Sequence, residues 1–161
     1  MDKKTLLCLV VDNEIGPKIK NSIEYDIKTY IRACGNRDGY GNADIRYANN
    51  ARMALKKLDH LNPDIVLFDP HLTPPPRPEY NKHGLYPDGI DKFLHPAISS
   101  KYKGIIIAYC TESDRRWDLY DCVKKGADFM ISSYPIENHH DTGELFKVLD
   151  IVLGVNTVKR K

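Results

Sequence analysis

The chain has 161 residues, 42% of them hydrophobic and 29% charged, which is the composition of one globular domain large enough to bury a core without disulfide or metal staples. Lys and Arg (24) nearly balance Asp and Glu (22) for a formal charge of +2. That excludes a global nucleic-acid or membrane-surface signature and confines charge arguments to local clusters. No apolar run approaches the roughly 20 residues of a membrane helix. The opening MDKKTLLCLVVDNE runs from a short apolar stretch straight into acids, so it reads as a first strand and not as a signal peptide.

Three short, nearly continuous apolar runs predict strands covered on both faces: Leu6–Val11, Ile65–Phe68 and Ile105–Cys110. After the first run, Pro17 suits a first helical turn. Ile19, Ile23, Ile27 and Ile31 then repeat every four residues, a stripe predicted to end near Gly35. A weaker strand, Ile45–Ala48, precedes a second helix marked by Met53, Leu55, Leu58 and Leu61 and stopped before Pro63. Beyond the second apolar run, Ile90, Phe93 and Leu94 mark a short helix that Pro96 is expected to cut. Leu119, Cys122 and Val123 mark a fourth helix ending at Gly126, and Phe129–Ile131 reads as the last strand. Leu145, Val148, Leu149 and Val152 mark a fifth helix, with Asp141 and Glu144 in capping-box spacing at its entry. Five strand-helix units in alternation imply an α/β fold, a parallel sheet with right-handed crossovers and helices on both faces.

In such sheets chemistry sits beyond the carboxyl ends of the strands. There the sequence places Asp12, Asn13 and Glu14 after the first strand, Asp69 after the third, Thr111 after the fourth, and Ser132, Ser133, Tyr134 and Pro135 after the fifth. Two acids and an amide converging on one edge make a small anionic pocket of hard oxygen donors, suited to Mg²⁺. The plainer alternative is a set of caps and solvated turns.

The chain resembles the response-regulator receiver domain of two-component signalling. The carriers are VVDNE (Val10–Glu14), NNARMALKKL (Asn49–Leu58), PDIVLFD (Pro63–Asp69), Thr111, and GAD (Gly126–Asp128) set 15 residues beyond it (126 − 111). The resemblance spans Leu6 to about Leu153. It implies a flavodoxin-like five-stranded sheet in the order 2-1-3-4-5, with residues 1–155 as the receiver domain and 156–161 as a basic tail. It also implies that Asp69 is the phosphoacceptor for a histidine kinase or phosphotransfer protein. Mg²⁺ would be held by Asp69, Asn13, the backbone carbonyl of His71 and, through water, Asp12. Thr111 would sense the phosphoryl group, and the setting would be cytoplasmic. The role implied is a stand-alone switch, not an enzyme, acting through protein partners and not on nucleic acid or membrane.

Four departures qualify the resemblance. Asn13 stands where the family usually has a second acid, so weak Mg²⁺ binding is expected. The lysine slot before the last proline falls on Ser133, and the aromatic switch position reads Met130. One acid fewer and one base fewer leave the formal charge of the pocket as in the family. Thr73–Asp88, five of whose residues are proline, extends the loop after Asp69. Its Arg77, Lys82 and His83 are candidate cations to replace the lysine, in a lid or in a mere surface excursion. A proline-rich ligand in PPPRP is a lesser reading.

Competing readings are a receiver fold kept for protein contact without phosphorylation, and a flavodoxin-like cofactor binder. The acidic turn after strand one, with no Gly-rich cradle, argues against the latter. The remaining features have ordinary readings. Cys8, Cys34, Cys110 and Cys122 form no C-x-x-C pair and read as buried thiols. His139 and His140 read as a polar helix entry before a metal site, and Lys159–Lys161 as a solvated tail. Trp117 is packing or a partner anchor, and Arg115 and Arg116 a charged helix start.

Overall fold

The computed structural model describes residues 2–73, 87–110, 116–131 and 144–158. Five strands, β1 (Lys4–Val11), β2 (Tyr40–Ala48), β3 (Ile65–Phe68), β4 (Ile105–Tyr109) and β5 (Phe129–Ile131), form one sheet in the order β2-β1-β3-β4-β5. Every neighbouring pair is parallel. This is the expected fold class and strand order. β1 and β2 begin earlier than their apolar runs, at Lys4 and Tyr40, because the extra residues pair with each other along the sheet edge and need not be apolar.

Alternation along each strand sorts the core onto two faces. Leu9, Val11, Val66, Phe68, Ile106 and Ala108 pack against α2 (Ala51–Leu61), α3 (His95–Ser99) and α4 (Arg116–Lys124). Cys8, Val10, Leu67, Ile107 and Tyr109 face the other way, against α1 (Pro17–Asp38) and α5 (Glu144–Val158). The α1 stripe buries Ile23, Ile27 and Tyr30 fully, with Ile19 and Ile31 at its margins. On α5, Leu145, Val148, Leu149 and Val152 are buried as predicted. The helix continues to Val158, so its last turn extends past residue 155 into the segment assigned to the tail.

Three helix details differ from expectation. α1 runs through Gly35 to Asp38 and stops at Gly39, whose φ of +81° is the left-handed conformation that glycine tolerates best. Met53 and Val123, counted with the apolar stripes, are exposed, whereas Ala54 takes the buried place on α2. Pro96 does not end its helix. A π-helical turn (Ile90–Leu94) precedes α3, with the His95 N–H donating to the Ile90 carbonyl five residues back. The proline falls within the first turn of α3, where its missing N–H costs little.

Two aspartates in the resemblance motifs are structural. Asp64 donates its N–H to the Leu7 carbonyl (2.9 Å) and accepts the Leu7 N–H on Oδ2 (2.9 Å), fixing β3 beside β1. Asp128 does the same for β5 and β4, donating to the Ile106 carbonyl and accepting the Ile106 N–H, both at 2.8 Å. Gly126 sits at φ +116°, and a Cβ there would lie 2.5 Å from Ile98 Cδ1, so the turn into β5 requires glycine. Asn50 caps α2 by accepting the Met53 N–H at 2.8 Å, and Asn62 closes it in the left-handed region. No described helix is long and apolar enough to cross a membrane.

Candidate functional site

The β1–β3 register sets the site. Val11 pairs with Phe68, the Asp69 N–H donates to the Val11 carbonyl at 2.9 Å, and the Asp12 N–H donates to the Ala48 carbonyl at 3.0 Å. Asp12 and Asp69 therefore follow directly on paired residues at the carboxyl ends of adjacent strands. Their relative exposures are 1% and 2%. Lone buried carboxylates are costly unless donors or a cation compensate them.

Donors are present. Asp12 Oδ1 accepts the Glu14 N–H at 2.8 Å, a local turn that shapes the loop after β1. Asp12 Oδ2 accepts the hydroxyl of Tyr109 at 2.5 Å. Tyr109 is fully buried at the end of β4, and its side chain reaches across the β3 position to Asp12. Asp69 Oδ1 accepts the His71 N–H at 2.7 Å, the same turn geometry as at Asp12. The His71 ring is itself 2% exposed, and its Nε2 lies 2.7 Å from Asp118 Oδ2 on α4. His71 was expected to contribute only its backbone carbonyl. Its side chain also joins the loop after β3 to the first turn of α4.

The base of the extended loop is clasped. Asp88 accepts the Leu72 N–H at 2.9 Å and the Thr73 hydroxyl, and pairs with Lys92 Nζ at 3.0 Å. Burial works to raise its carboxyl, but the Thr73 and Lys92 side chains and the Leu72 and Thr73 amides together hold it below the ordinary carboxylate range. The Gly89 N–H donates to the Pro70 carbonyl at 2.7 Å, and a Cβ on Gly89 would stand 2.6 Å from that oxygen. The two ends of the Thr73–Asp88 segment thus meet beside Asp69.

Of the residues singled out in sequence, Asp12 and Asp69 lie at the ends of adjacent paired strands at this edge, with Asn13 and His71 one and two residues beyond them. Met130 lies half-buried in β5, packed with the core on the α2–α4 face. Thr111, Ser133, Arg77, Lys82 and His83 lie outside the described residues, as do Arg115, His139, His140, Asp141 and the side chains of Arg116 and Trp117. All four cysteines are free thiols. Cys8, Cys110 and Cys122 are buried and Cys34 is half-buried. Sequence reasoning missed Tyr109, Asp118 and Asp88. For Tyr109 a signal existed, because a phenol closing a buried apolar strand needs a hydrogen-bond partner.

The donor chemistry fits a hard divalent cation: two carboxylates, the Asn13 amide oxygen and the His71 carbonyl. No group of three or more His, Cys, Asp or Glu is placed to hold a metal among the described residues.

No protein-family model matches the chain, and no curated protein matches it. Solved structures do. The chain is 19% identical to the chemotaxis response regulator CheY4 of Vibrio cholerae, over 92% of this chain and 99% of that one, with a TM-score of 0.56. It is 17% identical to the receiver domain of NtrX from Brucella abortus, over 96% and 99%, with a TM-score of 0.52. The signal receiver domain of a LuxO repressor protein from Vibrio parahaemolyticus is 15% identical, over 98% and 96%, with a TM-score of 0.57. The chain has the fold of response-regulator receiver domains.

Proposed function

We propose that this chain is a receiver-type switch that accepts a phosphoryl group on Asp69 from a histidine kinase or histidine phosphotransfer protein and signals by docking on a partner. The observation that carries this reading is the pair of buried carboxylates, Asp12 and Asp69, set side by side by the β1–β3 register at the reactive edge of a receiver-type sheet. In the transfer, a carboxylate oxygen of Asp69 attacks the phosphorus of a phosphoimidazole. The new P–O bond replaces the P–N bond, and the imidazole nitrogen leaves with the electron pair and takes a proton from water. Asp69 is held for this by the His71 N–H on Oδ1, which limits the rotation of its carboxylate. Mg²⁺, when bound, would offset charge gathering on the transferred group. Asp12, Asn13, Asp69 and the His71 carbonyl are the residues to hold it. Thr111 is the hydroxyl proposed to meet the phosphoryl oxygen. The cytoplasm is the compartment that suits such a partner set.

A second reading, a receiver fold used for protein contact without phosphorylation, is favoured by one observation. Both oxygens of Asp12 already accept donors from within the protein, the Glu14 N–H and the Tyr109 hydroxyl, so its charge is partly compensated with no ion.

Intact-mass analysis after incubation with a small phosphodonor and Mg²⁺ separates the two. One added phosphoryl group in the wild type, absent in Asp69→Asn, is expected. No addition with phosphoramidate, acetyl phosphate or a phosphorylated phosphotransfer domain would favour the second reading.

A further inference from the structure

α2 and the edge strand β2 enclose an open groove of about 730 Å³. Its basic side chains are arranged in a row. Arg52, Lys56 and His60 recur every fourth residue on α2, spanning about 12 Å at the helical rise. Lys57 and Arg46 flank them. Among the described residues no acid lines the groove. The floor is apolar, formed by Met53, whose exposure is 41%, and Leu61.

The ordinary reading is a solvated helix face. Three features argue for more. Arg46 is committed to Asp44 at 2.7 Å and Lys57 to the Tyr47 carbonyl at 2.6 Å, so both are fixed along the strand side of the groove. Arg52, Lys56 and His60 make no ion pair among the described residues, although α2 carries Asp59. The same concavity exposes a large thioether, a side chain that adapts to varied apolar partners.

We propose that this groove is a docking site for an acidic, amphipathic segment of a partner protein, its carboxylates on Arg52 and Lys56 and an apolar side chain on Met53. The groove is too open to enclose a small molecule, which is usually buried over most of its surface. Its row of three uncommitted basic side chains is too short for nucleic acid, whose affinity depends on many phosphate contacts. Charge complementarity with an apolar anchor is the chemistry that remains. Asp69 does not line the groove, and the proposal stands or falls independently of phosphorylation.

The test uses the full chain and three labelled probes: a ten-residue Glu/Leu amphipathic peptide, its Gln/Leu counterpart, and an oligothymidylate of the same charge as the first. Fluorescence anisotropy should show salt-sensitive binding of the Glu/Leu peptide alone. Arg52→Glu with Lys56→Glu should weaken it by about tenfold, the scale of two reversed rim charges. Lys124→Glu with Lys125→Glu, an equal charge change elsewhere, should leave it unaltered. Circular dichroism checks that both double variants fold. Amide shifts on binding should cluster at residues 46–61. Absence of peptide binding, equal loss in both double variants, or tighter binding of the oligonucleotide would overturn the proposal.

Discussion

The hydrogen bond from Tyr109 to Asp12 offers a direct measure of how the acidic edge is held together. Tyr109→Phe removes one oxygen and keeps the ring in the core against α1 and α5. Asp12, 1% exposed, would keep the Glu14 N–H on Oδ1 but lose the donor on Oδ2. A hydrogen bond to a charged group is worth about 1.5–3 kcal/mol, and a buried acceptor left without it bears its desolvation cost. The variant should therefore be destabilised by about 1.5–3 kcal/mol in urea unfolding followed by circular dichroism. At about 2–4 °C per kcal/mol for a chain of this size, the melting temperature should fall by roughly 3–12 °C. The same change exposes Asp12 Oδ2 to a cation. Saturating Mg²⁺ should then raise the stability of Tyr109→Phe more than that of the wild type, because an ion that binds only the folded state stabilises it by mass action. Two results would refute this reasoning. One is a Tyr109→Phe protein within about 0.5 kcal/mol of the wild type, the scatter expected of a substitution that removes no specific interaction. The other is a loss of stability that Mg²⁺ does nothing to restore.

Asn13→Asp adds a carboxylate to the same pocket. It should tighten Mg²⁺ by on the order of 1–2 kcal/mol in an isothermal titration, and unchanged affinity would mean that residue 13 does not reach the ion. Gly126→Ala forces a Cβ to within 2.5 Å of Ile98 Cδ1 at a φ of +116°, and should cost about 1–3 kcal/mol in the same unfolding assay. Burial pushes the Cys8 and Cys122 thiols up to about 12, with nearby aspartates adding to the shift. The folded chain thus keeps two protons that the unfolded chain releases near 9.0. Their contribution to stability is intact below that value and is lost as pH rises towards 12. In the folded protein at neutral pH a thiol reagent should modify Cys34 first, and equal rates at all four cysteines would contradict the burial.

The sheet was legible because its strands are short apolar runs, each followed by a polar group, and such runs have few alternatives at that length. Asp12 and Asp69 could be read as neighbours because parallel order fixes which ends converge. Helix limits were harder. Gly35 looked like a terminator, yet a helix tolerates an interior glycine at a cost of about 1 kcal/mol, and Gly39 had the conformation that ends it. Pro96 looked like a break because a widened turn leaves no mark in residue periodicity. The side-chain links at the site were beyond sequence reasoning for a different reason. Tyr109 to Asp12 spans 97 residues and His71 to Asp118 spans 47, and no local pattern encodes a contact between elements that meet only after folding.

The clasp formed by Thr73, Asp88, Lys92 and the Gly89–Pro70 contact has a consequence for how this protein can vary. Because Thr73 and Asp88 are fastened to each other, the sequence between them joins the fold through a single doorway. Lengthening or exchanging it changes closure entropy only slowly, as the logarithm of its length, and transmits little strain to β3. The doorway itself lies beside Asp69, where the Gly89 N–H meets the Pro70 carbonyl. A lineage, or an engineer, could rewrite residues 74–86 while leaving the clasp and the sheet that carries it unaltered.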